Sequence, residues 1–323
     1  MKRIAVLTSG GDSPGMNAGI RAVVRTAIYN GLEVYGVKRG YQGMIDDNIF
    51  PMDARSVSGI INRGGTILHS ARCMAFMEEA GRAQAAENLR KHGIDGVVVI
   101  GGDGSYRGAQ RLFAEHQVAV IGMPGTIDND IGGTEYTIGF DTAMNTAMEA
   151  IDRIRDTAAS HDRIFFVEVM GRRSGYIAVV AGIAGGAEEI LVPERETNVA
   201  TLAETLQKAR DDGKNSMIVV VAEGDDAGRA SDIARELEEV SDLRGARVTV
   251  LGHLQRGGSP TAFDRVLASR MGVAAVEGLL QGQSGKMVGI SNQHMMLRPL
   301  SEAWECPQRF DFNLLRVAHV LSV

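Results

Sequence analysis

The sequence predicts an α/β protein whose mainly parallel sheets are covered by helices on both faces. The first observation is a series of short Val- and Ile-rich runs, apolar at successive positions: Arg3–Leu7, Glu33–Val37, Gly96–Ile100, Val118–Met123, Ile164–Val169, Glu189–Val192, Met217–Ala222, Ala246–Leu251 and Lys286–Ile290. The second is the set of stretches of helical period between them, at Asn17–Tyr29, Arg82–Lys91, Thr142–Arg155, Ala200–Ala209, Ile233–Val240 and Arg265–Leu280. Strands apolar on both faces that alternate with helices belong to parallel sheets buried on both sides. At 323 residues the chain is long enough for two domains, each with its own core. No low-complexity linker marks where one ends, so the chain is expected to cross between them more than once.

Composition narrows the function. Net charge is −6 and no long basic run occurs, which argues against a nucleic-acid partner. Two cysteines, Cys73 and Cys306, are too few for a disulfide framework. No apolar stretch is long enough to span a membrane, and the N-terminus enters a strand pattern directly. A cytoplasmic enzyme is the expectation. Glycine is in excess, 40 of 323 residues, or about 12% against a usual value near 7%. Most of that excess follows apolar runs, where backbone turns tightly or approaches a ligand. In open α/β sheets ligands bind at the carboxyl ends of strands.

The loops at those strand ends hold the polar residues that suit chemistry. Thr8-Ser-Gly-Gly-Asp-Ser-Pro-Gly-Met-Asn17 can aim N–H groups and a helix N-terminus at an anion, although a tight structural turn explains it as well. It matches neither the Walker loop nor the dinucleotide fingerprint, which argues against an NAD-linked oxidoreductase. Gly101-Gly-Asp-Gly-Ser105 again opens a helix, so that phosphates could lie on its glycines while Asp103 holds Mg²⁺. The rival reading makes Asp103 or Ser105 a helix cap. Pro124-Gly-Thr-Ile-Asp-Asn-Asp130 gathers two carboxylates beside a hydroxyl. Such a group suits a cation or a transferred proton, and a carboxylate can deprotonate a sugar alcohol as a P–O bond forms. An Asx-turn cluster is the alternative. Met170-Gly-Arg-Arg-Ser-Gly175, Glu223 and His253-Leu-Gln-Arg-Gly-Gly258 add arginine forks, an imidazole and a carboxylate suited to a sugar phosphate.

With these segments in hand, the chain resembles the bacterial ATP-dependent 6-phosphofructokinases over essentially its full length. LTSGGDSPGMNAGIRAVVR, INRGGTILHSARC, GGDGS, PGTIDND, SHDR, EVMGRRSG, VLGHLQRGGSP and DRVLASR carry the resemblance in order. It implies two Rossmann-like domains with the active site in the cleft between them. The larger, ATP-binding domain would be 1–139 plus about 252–303, and the smaller, fructose-6-phosphate-binding domain about 140–251 plus 304–323. It also implies phosphoryl transfer from MgATP to the 1-hydroxyl of fructose 6-phosphate. Gly11, Tyr41, Arg72, Cys73, Gly102, Asp103, Gly104 and Ser105 match the ATP site, Asp103 being the magnesium position. Asp128 matches the catalytic base, with Thr126, Asp130, Arg172 and Arg72 positioning groups or stabilising charge. Thr126, Ile127, Asp128, Met170, Gly171, Arg172, Glu223, His253 and Arg256 match the sugar-phosphate site. The resemblance has Arg163 and Arg247 reach the 6-phosphate of a neighbouring subunit, and so implies a homotetramer.

The pyrophosphate-dependent branch of the superfamily and a nucleotide-sensing relative without catalysis are the alternatives. Members of that branch resemble GGDD and PKTIDND, whereas this chain has glycine at 104 and 125, leaving room for ATP. An effector site for ADP or phosphoenolpyruvate is implied at Arg21, Arg25, Arg155, Glu188 and Lys214. Ala54, Gly59, Asp212 and Ser216 depart from its usual pattern, and Asp212 beside a phosphate would weaken anion binding.

Overall fold

The computed structural model describes residues 1–161, 163–306 and 310–322. In chain order the elements are β1 Arg3–Thr8, α1 Met16–Tyr29, β2 Glu33–Val37, α2 Gly40–Ile45, β3 Ile49–Met52, α3 Glu79–Lys91, β4 Gly96–Gly101, α4 Asp103–His116 and β5 Ala119–Pro124. Then follow α5 Phe140–Ala159, β6 Ile164–Val169, α6 Tyr176–Ala184, β7 Glu189–Leu191, α7 Val199–Asp211, β8 Met217–Ala222, α8 Ala230–Val240 and β9 Arg247–Val250. The chain closes with α9 Ala262–Leu280, β10 Lys286–Ser291, β11 His294–Pro299, α10 Glu302–Glu305 and α11 Phe312–Leu321.

These elements form two units. The first comprises Met1–Ile127, Ile131–Thr142 and Arg256–Gln308; the second comprises Asp128–Asp130, Ala143–Gln255 and Arg309–Val323. Most of these limits lie a few residues from those expected. Asp128–Asp130 lie in the second unit, within which the Asp128 carboxylate faces Arg172.

The first unit holds a seven-stranded sheet in the order β11-β10-β5-β4-β1-β2-β3. Its five inner strands are parallel, and β3 and β11 close the edges antiparallel. The second unit holds a four-stranded sheet, β7-β8-β6-β9, parallel throughout. Strands β4 (GVVVIG) and β8 (MIVVVA) are buried at every position, as expected for sheets covered on both faces. Helix α8 lays Ile233, Ala234 and Leu237 on one buried stripe and turns its charges outward. In the first unit α1 and α9 cross closely, since a Cβ at Gly272 would sit 2.5 Å from that of Ala22.

One buried carboxylate ties the start of α5 to α9. Asp264 is fully buried, and its oxygens accept from the backbone N–H of Gly139 and of Thr142, both at 2.8 Å, and from the Thr142 hydroxyl. The segment it grips braces the loop after β5. Ile138 N donates to Pro124 O at 2.8 Å, and the Thr137 hydroxyl donates to Thr126 O at 2.7 Å. Burial pushes the Asp264 carboxyl up to about 6, against three donated hydrogen bonds that pull it down.

Between its ordinary value near 3.8 and about 6, the native state therefore holds a proton that the unfolded chain has lost. Asp264 then lowers stability as pH rises through that window and adds no slope above it. Relative to Asp264→Asn, the wild type should lose roughly 3 kcal/mol between about pH 4 and pH 6.5, read from urea melts. Parallel profiles for the two proteins would contradict the assignment.

Candidate active site

In the first unit the carboxyl ends of β1 and β4 carry two glycine loops side by side. Ser9 N donates to Ile100 O at 2.9 Å, which joins the loops at their roots. Gly10 turns left-handed at φ 85°, and the Ser70 hydroxyl donates to its carbonyl. Gly11 lies against the Arg256 guanidinium so closely that a Cβ would sit 2.1 Å from Nη1. That nitrogen donates to Asp12 O at 3.1 Å. Arg256, matched by sequence to the sugar-phosphate site, is thus placed in the first unit beside the first glycine loop.

The second loop leads into α4. Gly102 is its N-cap in extended conformation, and no side chain caps the helix, so neither Asp103 nor Ser105 plays the capping role weighed as the alternative. The first-turn N–H groups of an uncapped helix suit an anion. Around Gly102 and Gly104 an added Cβ would meet nothing within 4 Å, and neither has a positive φ. Neither backbone conformation nor packing therefore requires glycine at these two positions. Asp103 is half-exposed in that first turn, with Arg107 Nε 3.8 Å from its carboxylate. The Tyr41 hydroxyl donates to Ser105 O, and its ring stacks on Phe76 at 3.9 Å. Burial pushes the Tyr41 phenol well above its usual range, so it remains a neutral donor. Gly108 leaves space for that stack, and Cys73 Sγ donates to Gln42 Oε1 at 3.3 Å. Arg72 is exposed.

The loop after β5 brings Gly125 against Ile100 and Met16, each 3.0 Å from where a Cβ would lie. Thr126 and Ile127 close the first unit's part of this loop, and Asp128 opens the second unit's part. Asp128 is 1% exposed, with Asn129 next to it in the left-handed region at φ 50°.

In the second unit Asp128 Oδ2 lies 3.4 Å from Arg172 Nε. Arg172 is itself left-handed at φ 54°, a costly state for a residue with a Cβ. Its N–H donates to Glu223 Oε1 at 3.0 Å, and its carbonyl packs so tightly on Gly224 that a Cβ there would sit 1.7 Å away. Ser174 N donates to Gly171 O at 2.8 Å, and Gly175 N to Glu194 Oε1 at 2.9 Å. Burial pushes the Glu194 carboxyl above its usual range. Met170 N reaches Gln255 Oε1 at 3.3 Å, which ties the loop to the turn carrying exposed His253.

Arg163 and Arg247 are not gathered with these groups. Arg163 precedes β6 and Arg247 begins β9, whereas Met170 and His253 follow the carboxyl ends of the same two strands. Six residues of β6 separate the ends, about 20 Å at 3.3 Å per residue. Of the matched effector residues, Arg155 donates to Gly185 O at 2.6 Å and lies 3.9 Å from Glu188. Lys214 donates to Ser322 O, and Arg21 and Arg25 lie on α1 in the first unit. Sequence reasoning passed over Gly224, Gln255, Glu194, Glu168 and Arg229. Only Glu168 left a signal, as a carboxylate inside the otherwise apolar run IFFVEV.

Comparison with known proteins agrees with the geometry. Residues 3–279 match the family described as Phosphofructokinase. ATP-dependent 6-phosphofructokinase 1 of Thermus thermophilus is 57% identical over 323 residues, covering both chains completely. The ATP-dependent 6-phosphofructokinase of Staphylococcus epidermidis is 55% identical over 325 residues, again covering both. Among solved structures, phosphofructokinase from Saccharomyces cerevisiae superposes with a TM-score of 0.87 at 40% identity, covering 94% of this chain and 45% of that longer one. A pyrophosphate-dependent phosphofructokinase from Marinobacter aquaeolei superposes at 0.85 with 24% identity, over 98% of this chain and 91% of that one, and shares the fold. The chain belongs to the phosphofructokinase family.

Proposed function

We propose that the protein transfers the terminal phosphoryl group of ATP to the 1-hydroxyl of fructose 6-phosphate, releasing ADP and fructose 1,6-bisphosphate. The observation that carries this reading is Asp128, a buried carboxylate with the Arg172 guanidinium 3.4 Å away on a strained turn. Full-length relatives named ATP-dependent 6-phosphofructokinase support the same chemistry.

Asp128 takes the proton of the attacking hydroxyl as the new P–O bond forms. Arg172 offers its fork where negative charge develops on the transferred group, and Arg72 is assigned a like part on the nucleotide side. The N–H groups at the start of α4 face the donor phosphates. Thr126 and Asp130 orient the reacting groups. Glu223 and His253 take sugar hydroxyls and the phosphate ester, with Met170 and Gly171 lining the same site.

Asp103 suits a magnesium site. It is a lone half-exposed carboxylate beside open space, and among the described residues no cluster of three or more His, Cys, Asp or Glu could cage a metal. Such a donor set fits a Mg²⁺ ligated mainly by phosphate oxygens, where the ion would neutralise phosphate charge. ATP is favoured over pyrophosphate by glycine at 104, where an added Cβ would meet no protein atom within 4 Å.

Arg163, about 20 Å from its own chain's Met170 along β6, and Arg247, at the opposite end of β9 from His253, are assigned to a neighbouring subunit's 6-phosphate, within a homotetramer. For regulation by ADP and phosphoenolpyruvate, we assign Arg21, Arg25, Arg155, Glu188 and Lys214 to an effector site weakened by Asp212. No helix among the described residues is long and apolar enough to cross a membrane.

A coupled assay of purified protein with fructose 6-phosphate and either ATP or pyrophosphate tests the donor; turnover on pyrophosphate alone overturns the ATP assignment. Asp128→Ala should lower kcat by roughly 10²- to 10⁴-fold with a smaller change in KM, and normal turnover would end the general-base role. Gly104→Asp should raise the KM for ATP at least about tenfold without lowering the melting temperature, since a like charge and bulk would face the donor phosphates. Arg163→Ser and Arg247→Ser should each raise the KM for fructose 6-phosphate by about tenfold or more with little change for ATP.

A further inference from the structure

The turn that carries Arg172 depends on a residue outside every motif that marks the family resemblance. Arg229 stands immediately before α8, where the helix dipole presents its positive end and disfavours a cation. Asp232 accepts from Arg229 N at 3.3 Å in a capping box, and Glu168 adds a second acceptor, its Oε2 taking the Ala230 N–H at 3.0 Å. Glu168 is 4% exposed and sits inside β6, so its charge requires a partner. Arg229 Nη1 supplies it at 2.8 Å from Oε1. The same nitrogen lies 3.6 Å from Glu223 Oε2, and the other oxygen of Glu223 holds the Arg172 N–H. Glu168 thus fixes the guanidinium, the guanidinium fixes Glu223, and Glu223 fixes the left-handed turn from which Arg172 reaches Asp128.

We infer that Arg229 is a positioning residue for sugar-phosphate binding, acting through Glu223 on the backbone of Arg172. This rests on the reading of the second unit's loops as the sugar-phosphate site. Glu223 has two tasks in that reading, one oxygen on the Arg172 N–H and the carboxylate on a substrate hydroxyl. A counter-charge that keeps it from swinging onto the Arg172 guanidinium serves both. Methionine at 229 keeps the aliphatic stem and removes that counter-charge; lysine restores the charge without the fork that touches two carboxylates at once.

The experiment uses the full-length enzyme. Arg229→Met should raise the KM for fructose 6-phosphate by about 5- to 30-fold and leave the KM for ATP within about twofold, with Arg229→Lys intermediate. In an Glu223→Gln background the same change should add less than about twofold, because the two residues act in series. Hydrogen exchange should quicken at the Arg172 amide in Arg229→Met while the strands β6 and β8 keep their protection. An unchanged KM for the sugar phosphate, or the full factor persisting in the Glu223→Gln background, overturns the inference. If Arg229→Met fails to fold, Arg229→Gln and Arg229→Lys carry the same comparisons. Wild-type protein that turns over no fructose 6-phosphate sinks the functional reading instead, and the exchange measurement still tests whether Arg229 holds the turn.

Discussion

Strands buried on both faces leave their backbone no partner but the neighbouring strand, and their side chains no polar company at all. Every position of β4 and of β8 is under that constraint. Polar chemistry is thereby driven to the strand ends, where loops can hold groups that the sheet cannot accommodate. The glycine loops after β1 and β4, the carboxylates after β5 and the arginine turn after β6 all follow from it. So does the separation of Arg163 and Arg247 from the others, since a strand has two ends and chemistry at the second faces elsewhere.

Where a charge does enter the interior, the protein neutralises its cost differently each time. Asp264 meets only hydrogen-bond donors, and burial lifts its carboxyl toward neutrality. Glu168 receives a cation, Arg229, whose guanidinium that pairing holds more firmly charged. Asp128 is nearly as buried, yet it faces an arginine at 3.4 Å, longer than the Glu168 contact. Asp264 and Glu168 each hold short hydrogen bonds within the fold, while Asp128 faces the guanidinium that the proposed reaction assigns to the transferred phosphoryl group.

Much of this was legible in the sequence, for physical reasons that also mark its limits. Buried parallel strands declare themselves as apolar runs, so the inner strands were found with little error. Strand β3 was hidden because Pro51 interrupts it, which only an edge strand tolerates. Helix α6, YIAVVAGIA, is apolar around its circumference and so has no 3.6-residue rhythm to detect. At the site, Asp128, Arg172 and the glycine loops stood out because their residue types are costly without a use. Arg229 did not, because its meaning lies in a carboxylate 61 positions away, and no local pattern records that pairing. The placement of Asp128–Asp130 with the second unit was equally invisible, since no local pattern separates these residues from the strand that precedes them.

Gly102 and Gly104 have an evolutionary consequence. Both adopt conformations open to other residues, and an added Cβ at either would meet nothing within 4 Å, so the folded chain gains little from keeping them glycine. Within the first turn of α4, alanine at 104 would be favoured by about 0.5–1 kcal/mol through lower chain entropy. A library sorted on thermal resistance alone would therefore enrich replacements at this position while eroding use of the phosphate donor. On the proposed reading the loop keeps these glycines against the grain of stability, and selection on turnover preserves them.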